Sequence, residues 1–194
     1  MSVRILTVCT GNICRSPYAH LLLGHRLEQV RPGAFEVSSA GVGALVDHPV
    51  DPGSVVHLEF KGIEHADFAA RQISERMLDD VDLVLAMTVE HRRAVLSYAP
   101  RLLKRCFTLK EIARLIDAAE QTQPWTERLE GCDGPDERWA RIPAELARER
   151  GRHRVDEGAD DVADPYRRSQ DHFDTMAREV DEAVETIVGL EARF

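Results

Sequence analysis

The sequence predicts an α/β fold in which a mainly parallel sheet is covered by helices on both faces. Two observations lead to this prediction. Short apolar runs alternate along the chain with segments of helical periodicity, as in repeated strand–helix–strand units. The first run, residues 3–8, is apolar almost throughout, as in a strand that is buried on both faces. The chain has 194 residues, which is enough for one domain with a substantial core.

The first part of the chain supplies two strands and two helices. Residues 3–8 predict the first strand, and apolar side chains then recur on one side of a helix over residues 18–30. Pro17 suits the first turn of that helix. The second strand is predicted at residues 35–40, and a second helix begins at Asp51-Pro52-Gly53 and ends near residue 60.

Two further strands and three helices follow. The third strand is predicted at residues 81–87 and the fourth at residues 106–109. Ser74 precedes a short helix, and Thr88 is a plausible cap for a helix that ends at residue 98. The last long helix is predicted at residues 169–190, where apolar residues have helical spacing.

The turn after the first strand lies at the edge where ligands of such sheets bind. Right-handed crossovers bring the carboxyl ends of parallel strands to one edge. Ligands usually occupy that edge where the strand order switches. The turn contains Cys9 and begins at this edge.

The segment from residue 110 to residue 161 differs in composition from the rest, with many charges, prolines and glycines. We expect one domain over residues 1–194 in which this segment is an insertion. It is either an elaborated lid or an insertion without a catalytic part, and we favour the second. Helices are predicted near residues 111–120 and 143–150, and the polar run 151–161 is predicted to be mobile.

Composition excludes several classes of function. The net charge of −9 argues against generic nucleic-acid binding. No apolar run is long enough for a membrane span, and the amino-terminal run is too short for a signal peptide, so we expect a cytoplasmic protein. The four cysteines should then be reduced, and their spacing does not indicate a zinc site.

The turn from the first strand into the first helix contains the residues needed for phosphoryl transfer. Backbone amides of such a turn converge on an anion, and Arg15 adds a fork of donors that matches two anion oxygens. The same amides favour the thiolate of Cys9, which is the reactive nucleophile. Gly11 allows a close or left-handed backbone, and Ser16 can donate a hydrogen bond to the sulfur.

Phosphoryl transfer to sulfur also needs an acid that protonates the leaving oxygen. Asp164 is the candidate, because Pro165 restricts it to an extended backbone just before the final helix. Such a position could present the carboxylate toward the turn. The sequence thus predicts attack by Cys9, a cysteinyl-phosphate, and hydrolysis of that intermediate by water.

The run Val8-Cys9-Thr10-Gly11-Asn12-Ile13-Cys14-Arg15-Ser16-Pro17, with Asp164-Pro165-Tyr166, resembles the low-molecular-weight protein tyrosine phosphatases. The resemblance covers residues 2–109 and about 162–194. It implies a four-stranded parallel sheet in a three-layer sandwich, with no metal ion and no other cofactor. It further implies a phosphotyrosine protein as substrate and, in a bacterial setting, a cognate tyrosine kinase as a possible partner.

Roles follow position by position from the resemblance. Cys9 matches the nucleophile, Arg15 the phosphate-binding arginine and Asp164 the general acid. Asn12 matches the residue that braces the loop and Ser39 a serine behind it, while Cys14 matches a cysteine that forms a reversible disulfide with the nucleophile. The substrate-binding set is Thr10, Gly11, Asn12, Ile13, Cys14, Ser16 and Tyr166.

The chain departs from the family pattern at three places. Phe68 stands where the family often has histidine, and Leu45 stands where a rim aromatic is common. Tyr166 is followed by Arg167, where many relatives have a second aromatic residue.

Two other activities compete with tyrosine phosphatase activity. A protein-arginine phosphatase has threonine at the position of Ile13, and an apolar residue there favours an aromatic substrate. A thiol-dependent arsenate reductase needs two further cysteines close together after the third strand. Here Cys106 and Cys132 are far apart in sequence, which disfavours the reductase.

Overall fold

The structure, a computed structural model, describes residues 2–194. Four strands form one parallel sheet in the order β2-β1-β3-β4: β1 (Val3–Cys9), β2 (Phe35–Gly41), β3 (Leu83–Ala86) and β4 (Cys106–Thr108). The strand order switches at β1, which has β2 on one side and β3 on the other. The predicted four-stranded parallel sheet is confirmed, and the turn after β1 lies at the switch point.

Helices cover both faces of the sheet. One face carries α1 (Arg15–Val30), α2 (Pro52–Phe60), α5 (Leu109–Thr122) and α8 (Gln170–Glu191). The other carries α3 (Glu75–Asp79), α4 (Val89–Tyr98) and a 3-10 turn at Pro100–Leu102. Side chains along the strands alternate between the two layers: Ile5 and Leu85 pack on the first face, whereas Leu6 and Val84 pack on the second.

The third and fourth strands are shorter than the sequence predicts. Residues 81, 82 and 87 lie outside β3. Leu109 is not a strand residue but the first residue of α5, because Thr108 caps that helix: its hydroxyl accepts from the Glu111 amide, and the Glu111 carboxylate accepts from the Thr108 amide.

Helix α1 begins at Arg15, three residues before the predicted start. The Tyr18 amide already donates to the Cys14 carbonyl oxygen over 3.3 Å, so helical bonding begins in the loop itself. Pro17 is the third residue of the helix, where a missing amide proton leaves no bond unmade. The first turn of α1 is therefore part of the anion loop (residues 9–16).

The predicted helix start at Pro143 is wrong. Helix α7 (Pro135–Glu149) starts eight residues earlier, with Pro135 in its first turn, and contains Pro143 in its interior. An interior proline removes one backbone bond and normally disfavours a helix. Here the buried side chains of Trp139, Ile142 and Leu146 lie on one face of α7, so tertiary packing offsets the lost bond.

Residues 110–161 pack against the body through buried side chains. Trp125, in the short helix α6 (Trp125–Arg128), and Trp139 are both fully buried. The Trp139 indole donates to Glu191 of α8 over 3.0 Å. Arg138 pairs with the same buried carboxylate, which ties α7 to the last helix.

The polar run 151–161, predicted to be mobile, is joined to α5 by ion pairs and hydrogen bonds. Arg114 binds the Asp160 carboxylate with two nitrogens, at 3.0 and 2.7 Å, and donates to the His153 carbonyl oxygen. Lys110 donates to the Asp161 carbonyl oxygen. Within residues 2–194, no helix combines the length and apolar character needed to cross a bilayer.

Candidate active site

A cavity of about 190 Å³ opens at the switch point. Among the described residues 2–194, none that lines this cavity lies between positions 110 and 161. Its floor is the anion loop, and its walls come from the loop after β2 and from the segment before α8. The lining residues are Cys9, Thr10, Gly11, Ile13, Cys14, Arg15, Gly43, Leu45, Asp164 and Tyr166.

The Cys9 sulfur lies at the floor of this cavity, among hydrogen-bond donors. The Asn12 amide donates to Sγ over 3.3 Å, and the Ser16 hydroxyl lies 2.9 Å from it. Ser16 Oγ accepts from the Asn12 side chain, and its hydroxyl proton has two acceptors within reach, the sulfur at 2.9 Å and the Ala40 carbonyl oxygen at 3.5 Å. These donors stabilise negative charge on sulfur.

Asn12 holds the shape of the loop from behind. Its φ is +56°, a left-handed conformation that is uncommon for residues other than glycine. Its side-chain amide donates to Ser16 and Ser39, both at 2.9 Å, and its side-chain oxygen accepts from the Arg71 amide at 2.9 Å. Asn12 is fully buried, so these bonds fix the left-handed turn.

Asn12 and Ser16, two members of the predicted substrate-binding set, are not among the residues that line the cavity. Both are buried behind the loop because their hydrogen bonds point toward β2 and the sulfur. They act as supports of the loop. The remaining members of the predicted set, including Tyr166, line the cavity.

Arg15 and Asp164, which both line the cavity, form an ion pair. The guanidinium Nη2 lies 3.0 Å from Asp164 Oδ2, and Nη1 donates to the Val162 carbonyl oxygen at 3.4 Å. The Arg15 side chain is buried, whereas that of Asp164 is half exposed. Arg15 is therefore a fixed donor, and Asp164 can turn from it toward the mouth.

The segment that carries Asp164 is joined to the sheet by backbone bonds. The Val162 amide donates to the Met87 carbonyl oxygen at 2.8 Å, which continues the line of β3. The Ala163 amide donates to Glu179 of α8, and Asp161 accepts from the Val89 amide at the start of α4. These contacts bring a residue 155 positions from Cys9 to the same cavity.

Two histidines support the loop, and the sequence analysis missed both. The His91 ring bridges two hydroxyls, with Nε2 2.8 Å from Thr10 Oγ1 and Nδ1 2.9 Å from Thr88 Oγ1. Burial, and after it the nearby Arg15 charge, lowers the pKa of His91 to about 4. The ring is neutral at pH 7, with one nitrogen donating and the other accepting. The sequence signal that could have identified His91 is its position three residues after the cap Thr88, whose hydroxyl meets the His91 ring.

His20 lies on the other side of the loop. Its Nδ1 is 3.3 Å from Ser39 Oγ, and its ring lies beside Phe68. Burial, followed by the charge of Arg71, lowers the pKa of His20 to about 4. A histidine from α1 thus contacts Ser39 in a chain that has Phe68 at the family's usual histidine position.

The other cysteines differ from Cys9 in their surroundings. Burial raises the pKa of the Cys14 thiol, and the charges of Asp51, Cys9 and Asp164 add to the effect. Burial likewise raises the pKa of Cys106 in β4 to about 12. Both stay protonated near neutral pH and are poor nucleophiles. Among residues 2–194, no group of three or more metal-ligating side chains could hold an ion.

This fold and site define a class of protein: a parallel α/β sandwich with an anion-binding loop around a cysteine thiol. A family model described as low molecular weight phosphotyrosine protein phosphatase matches residues 4–126. A probable low molecular weight protein-tyrosine-phosphatase EpsP of Ralstonia nicotianae is 38% identical over 125 residues, 64% of this chain and 80% of that protein.

Solved structures agree with the family match. A low molecular weight protein tyrosine phosphatase from T. tengcongensis superposes with a TM-score of 0.68 at 27% identity, over 97% of this chain and 99% of that chain. The YwlE arginine phosphatase from Geobacillus stearothermophilus gives 0.64 at 27% identity, over 96% and 91%. The chain belongs to the low molecular weight phosphotyrosine protein phosphatase family, and it is therefore a phosphoric monoester hydrolase.

Proposed function

We propose that this enzyme hydrolyses phosphotyrosine in proteins through a cysteinyl-phosphate. The observation that carries the proposal is that Cys9, the buried Arg15 and the half-exposed Asp164 line one cavity, with Arg15 and Asp164 in contact. Nucleophile, anion clamp and acid are the groups that this reaction needs.

The first step transfers the phosphoryl group to sulfur. The Cys9 thiolate attacks phosphorus, an S–P bond forms, and the bond from phosphorus to the tyrosine oxygen breaks. Loop amides and Arg15 hold the three equatorial oxygens. As phosphate takes the Arg15 donors, Asp164 turns to the leaving oxygen and, in its protonated form, gives that oxygen a proton.

The second step releases phosphate. The Asp164 carboxylate takes a proton from water, the water oxygen attacks phosphorus, and the S–P bond breaks with the electron pair on Cys9. The Ser16 hydroxyl, 2.9 Å from the sulfur, stabilises the departing thiolate. Asn12, held by Ser39 and Arg71, keeps the loop in the shape that both steps use.

The walls of the cavity favour an aromatic substrate over phosphoarginine. Ile13, Leu45 and Tyr166 all line the cavity, so a phenyl ring in it has apolar and aromatic surface to pack against. The guanidinium of a phosphoarginine would contact the apolar Ile13, at the position where a protein-arginine phosphatase has a threonine hydroxyl. Arsenate reduction is disfavoured because Cys106 is fully buried in β4 with a raised pKa and cannot relay a disulfide from the cavity.

We also propose that residues 1–194 form one phosphatase domain, in which residues 110–161 are an insertion outside the chemistry. The substrate is a phosphorylated protein, and a cognate tyrosine kinase is the fitting partner for such an enzyme in the cytoplasm. The cavity is lined without any side chain of the insertion, which supports its structural role.

The test compares peptides that carry phosphotyrosine, phosphoserine or phosphoarginine, with kcat/KM measured for each. We expect phosphotyrosine to be preferred by at least tenfold. Cys9→Ser should abolish turnover, whereas Cys132→Ser, which changes a cysteine outside the cavity, should leave it intact. A preference for phosphoarginine, or activity that persists in Cys9→Ser, would refute the proposal.

A further inference from the structure

Arg167 is an unpaired cation at the mouth of the cavity. It follows Tyr166, which lines the cavity, and its guanidinium carbon lies 5.1 Å from the centroid of the Tyr166 ring. Across residues 2–194, no carboxylate is within ion-pair distance of Arg167. The side chain is exposed, so its charge faces whatever surrounds a bound phosphotyrosine.

The backbone holds Arg167 in an unusual conformation. Its φ is +58°, in the left-handed region that glycine adopts without strain and arginine adopts rarely. The flanking turn is closed by a backbone bond, in which the Arg168 amide donates to the Pro165 carbonyl oxygen at 2.9 Å, and the Tyr166 amide donates to Asp164 Oδ1 at 3.2 Å. The arginine side chain thus stands against the Tyr166 ring in a hydrogen-bonded turn with an unusual backbone conformation, and such strain often marks function.

The neighbouring arginine is directed elsewhere. Arg168 Nη1 lies 3.5 Å from His172 Nε2 at the start of α8. On the opposite rim, Leu45 lines the cavity, and the nearby charged side chain is the exposed Asp47. Within residues 2–194, the Asp164 carboxylate near Tyr166 pairs with Arg15, and Arg167 is left without an ion-pair partner, on a molecule whose net charge is −9.

We propose that Arg167 selects substrates with an acidic residue next to the phosphotyrosine. This inference rests on the proposed phosphotyrosine phosphatase activity and adds the substrate class. A glutamate or aspartate directly beside the phosphotyrosine lies at the mouth while the phosphate contacts the anion loop. It then pairs with Arg167, whose guanidinium is kept in place by the Tyr166 ring.

The effect is modest because the pair is exposed to solvent. Surface ion pairs and rim charges change affinity by small factors and respond to salt. We expect a preference of about threefold to fivefold in kcat/KM, carried mainly by KM, that falls toward one at about 1 M salt, where the Debye length is about 3 Å.

The experiment uses two phosphotyrosine peptides that differ only in the two residues flanking the phosphotyrosine, glutamate in one and glutamine in the other. The ratio of their kcat/KM values is measured within each protein. The unmodified enzyme should favour the glutamate peptide, and Arg167→Gln should bring the ratio close to one. Arg167→Gly should do the same in a backbone that suits φ +58°, which separates loss of charge from loss of the turn.

Arg141→Gln is the matched control. Arg141 is an exposed arginine on α7, two positions from Trp139 and remote from the cavity lining, so the wild-type ratio should persist. The inference is overturned if the unmodified enzyme shows no preference, or if the preference survives in both Arg167 variants. If neither peptide is hydrolysed while a phosphoarginine peptide is, the proposed function fails and this inference fails with it.

Discussion

At the scale of single residues, Asn12 shows how one side chain can shape a catalytic loop. In its left-handed conformation, Asn12 makes three kinds of hydrogen bond at once. Its backbone amide donates to the sulfur, its side-chain amide donates to two serines, and its side-chain oxygen accepts from the Arg71 amide. A glycine could adopt the backbone without strain but would supply none of these side-chain bonds. Substitution of Asn12 by glycine therefore separates the effect of its backbone conformation from that of its side-chain hydrogen bonds.

We predict that Asn12→Gly and Asn12→Ala both reduce kcat on p-nitrophenyl phosphate by about 10²-fold, since misplacement of a loop by about 1 Å has effects of that size. Asn12→Ala should also lose more thermal stability, because alanine is strained at this φ. Activity assays and melting curves measure the two effects. Full activity in Asn12→Gly would show that the side-chain bonds do not position the loop.

At the scale of elements, the segment that carries Asp164 depends on residues 110–161 for its geometry. Arg114 of α5 holds Asp160 with two hydrogen bonds, and the Asp160 carbonyl oxygen accepts from Thr108 at the end of β4. The chain then passes Val162, bonded to Met87, and reaches Asp164 four residues after Asp160. Among the residues that the structure describes, none from 110–161 lines the cavity, yet this segment fixes the approach of the chain to Asp164.

We predict that Arg114→Gln lowers kcat by about threefold to tenfold on aryl phosphates with poor leaving groups, with little change in KM. Such substrates need a well-placed acid, whereas p-nitrophenyl phosphate, with a good leaving group, needs it less. Arg101→Gln breaks a comparable but exposed ion pair with Asp79 and serves as the control. An equal loss on both substrates would contradict this role.

The sequence predicts those elements whose signals are local. A buried apolar run, the caps at Ser74 and Thr88, and the dense motif from Cys9 to Pro17 each lie within a few residues, and the structure has the corresponding elements. The start of α7 could not be predicted, because Pro143 is tolerated only through the packing of Trp139 and its neighbours. His20 and His91 reach the loop from separate helices, and such meetings depend on the tertiary fold.

At the scale of the whole molecule, two neutral histidines, the buried His91 and the partly buried His20, link stability to pH. The pKa values of His20 and His91 are lowered to about 4 by burial, whereas an unfolded histidine titrates near 6.5. Between those values the unfolded chain binds protons that the folded protein does not bind. The free energy of unfolding must therefore fall as the pH drops from about 6.5 to about 4.

We predict that the free energy of unfolding, measured with urea at pH 7 and pH 5, decreases less in His91→Gln than in the unmodified protein. The full effect per histidine is at most about 3 kcal/mol across the whole window, so the difference at pH 5 is about 1 to 2 kcal/mol. The exposed His48 offers a control, His48→Gln, which should keep the wild-type decrease. Identical decreases in all three proteins would contradict the assignment.

The buried carboxylate of Glu191 has a consequence for the order of folding. It accepts from Arg138, Arg31 and the Trp139 indole, and it lies 53 residues after Arg138 in the chain. On the ribosome, Arg138 emerges well before its counter-ion exists, and a buried guanidinium without a partner is strongly unfavourable. Arg138 of α7 therefore gains its buried carboxylate partner only after α8 has been synthesised. The anion loop and all four strands precede residue 109, so they are synthesised before α8 completes this buried ion pair.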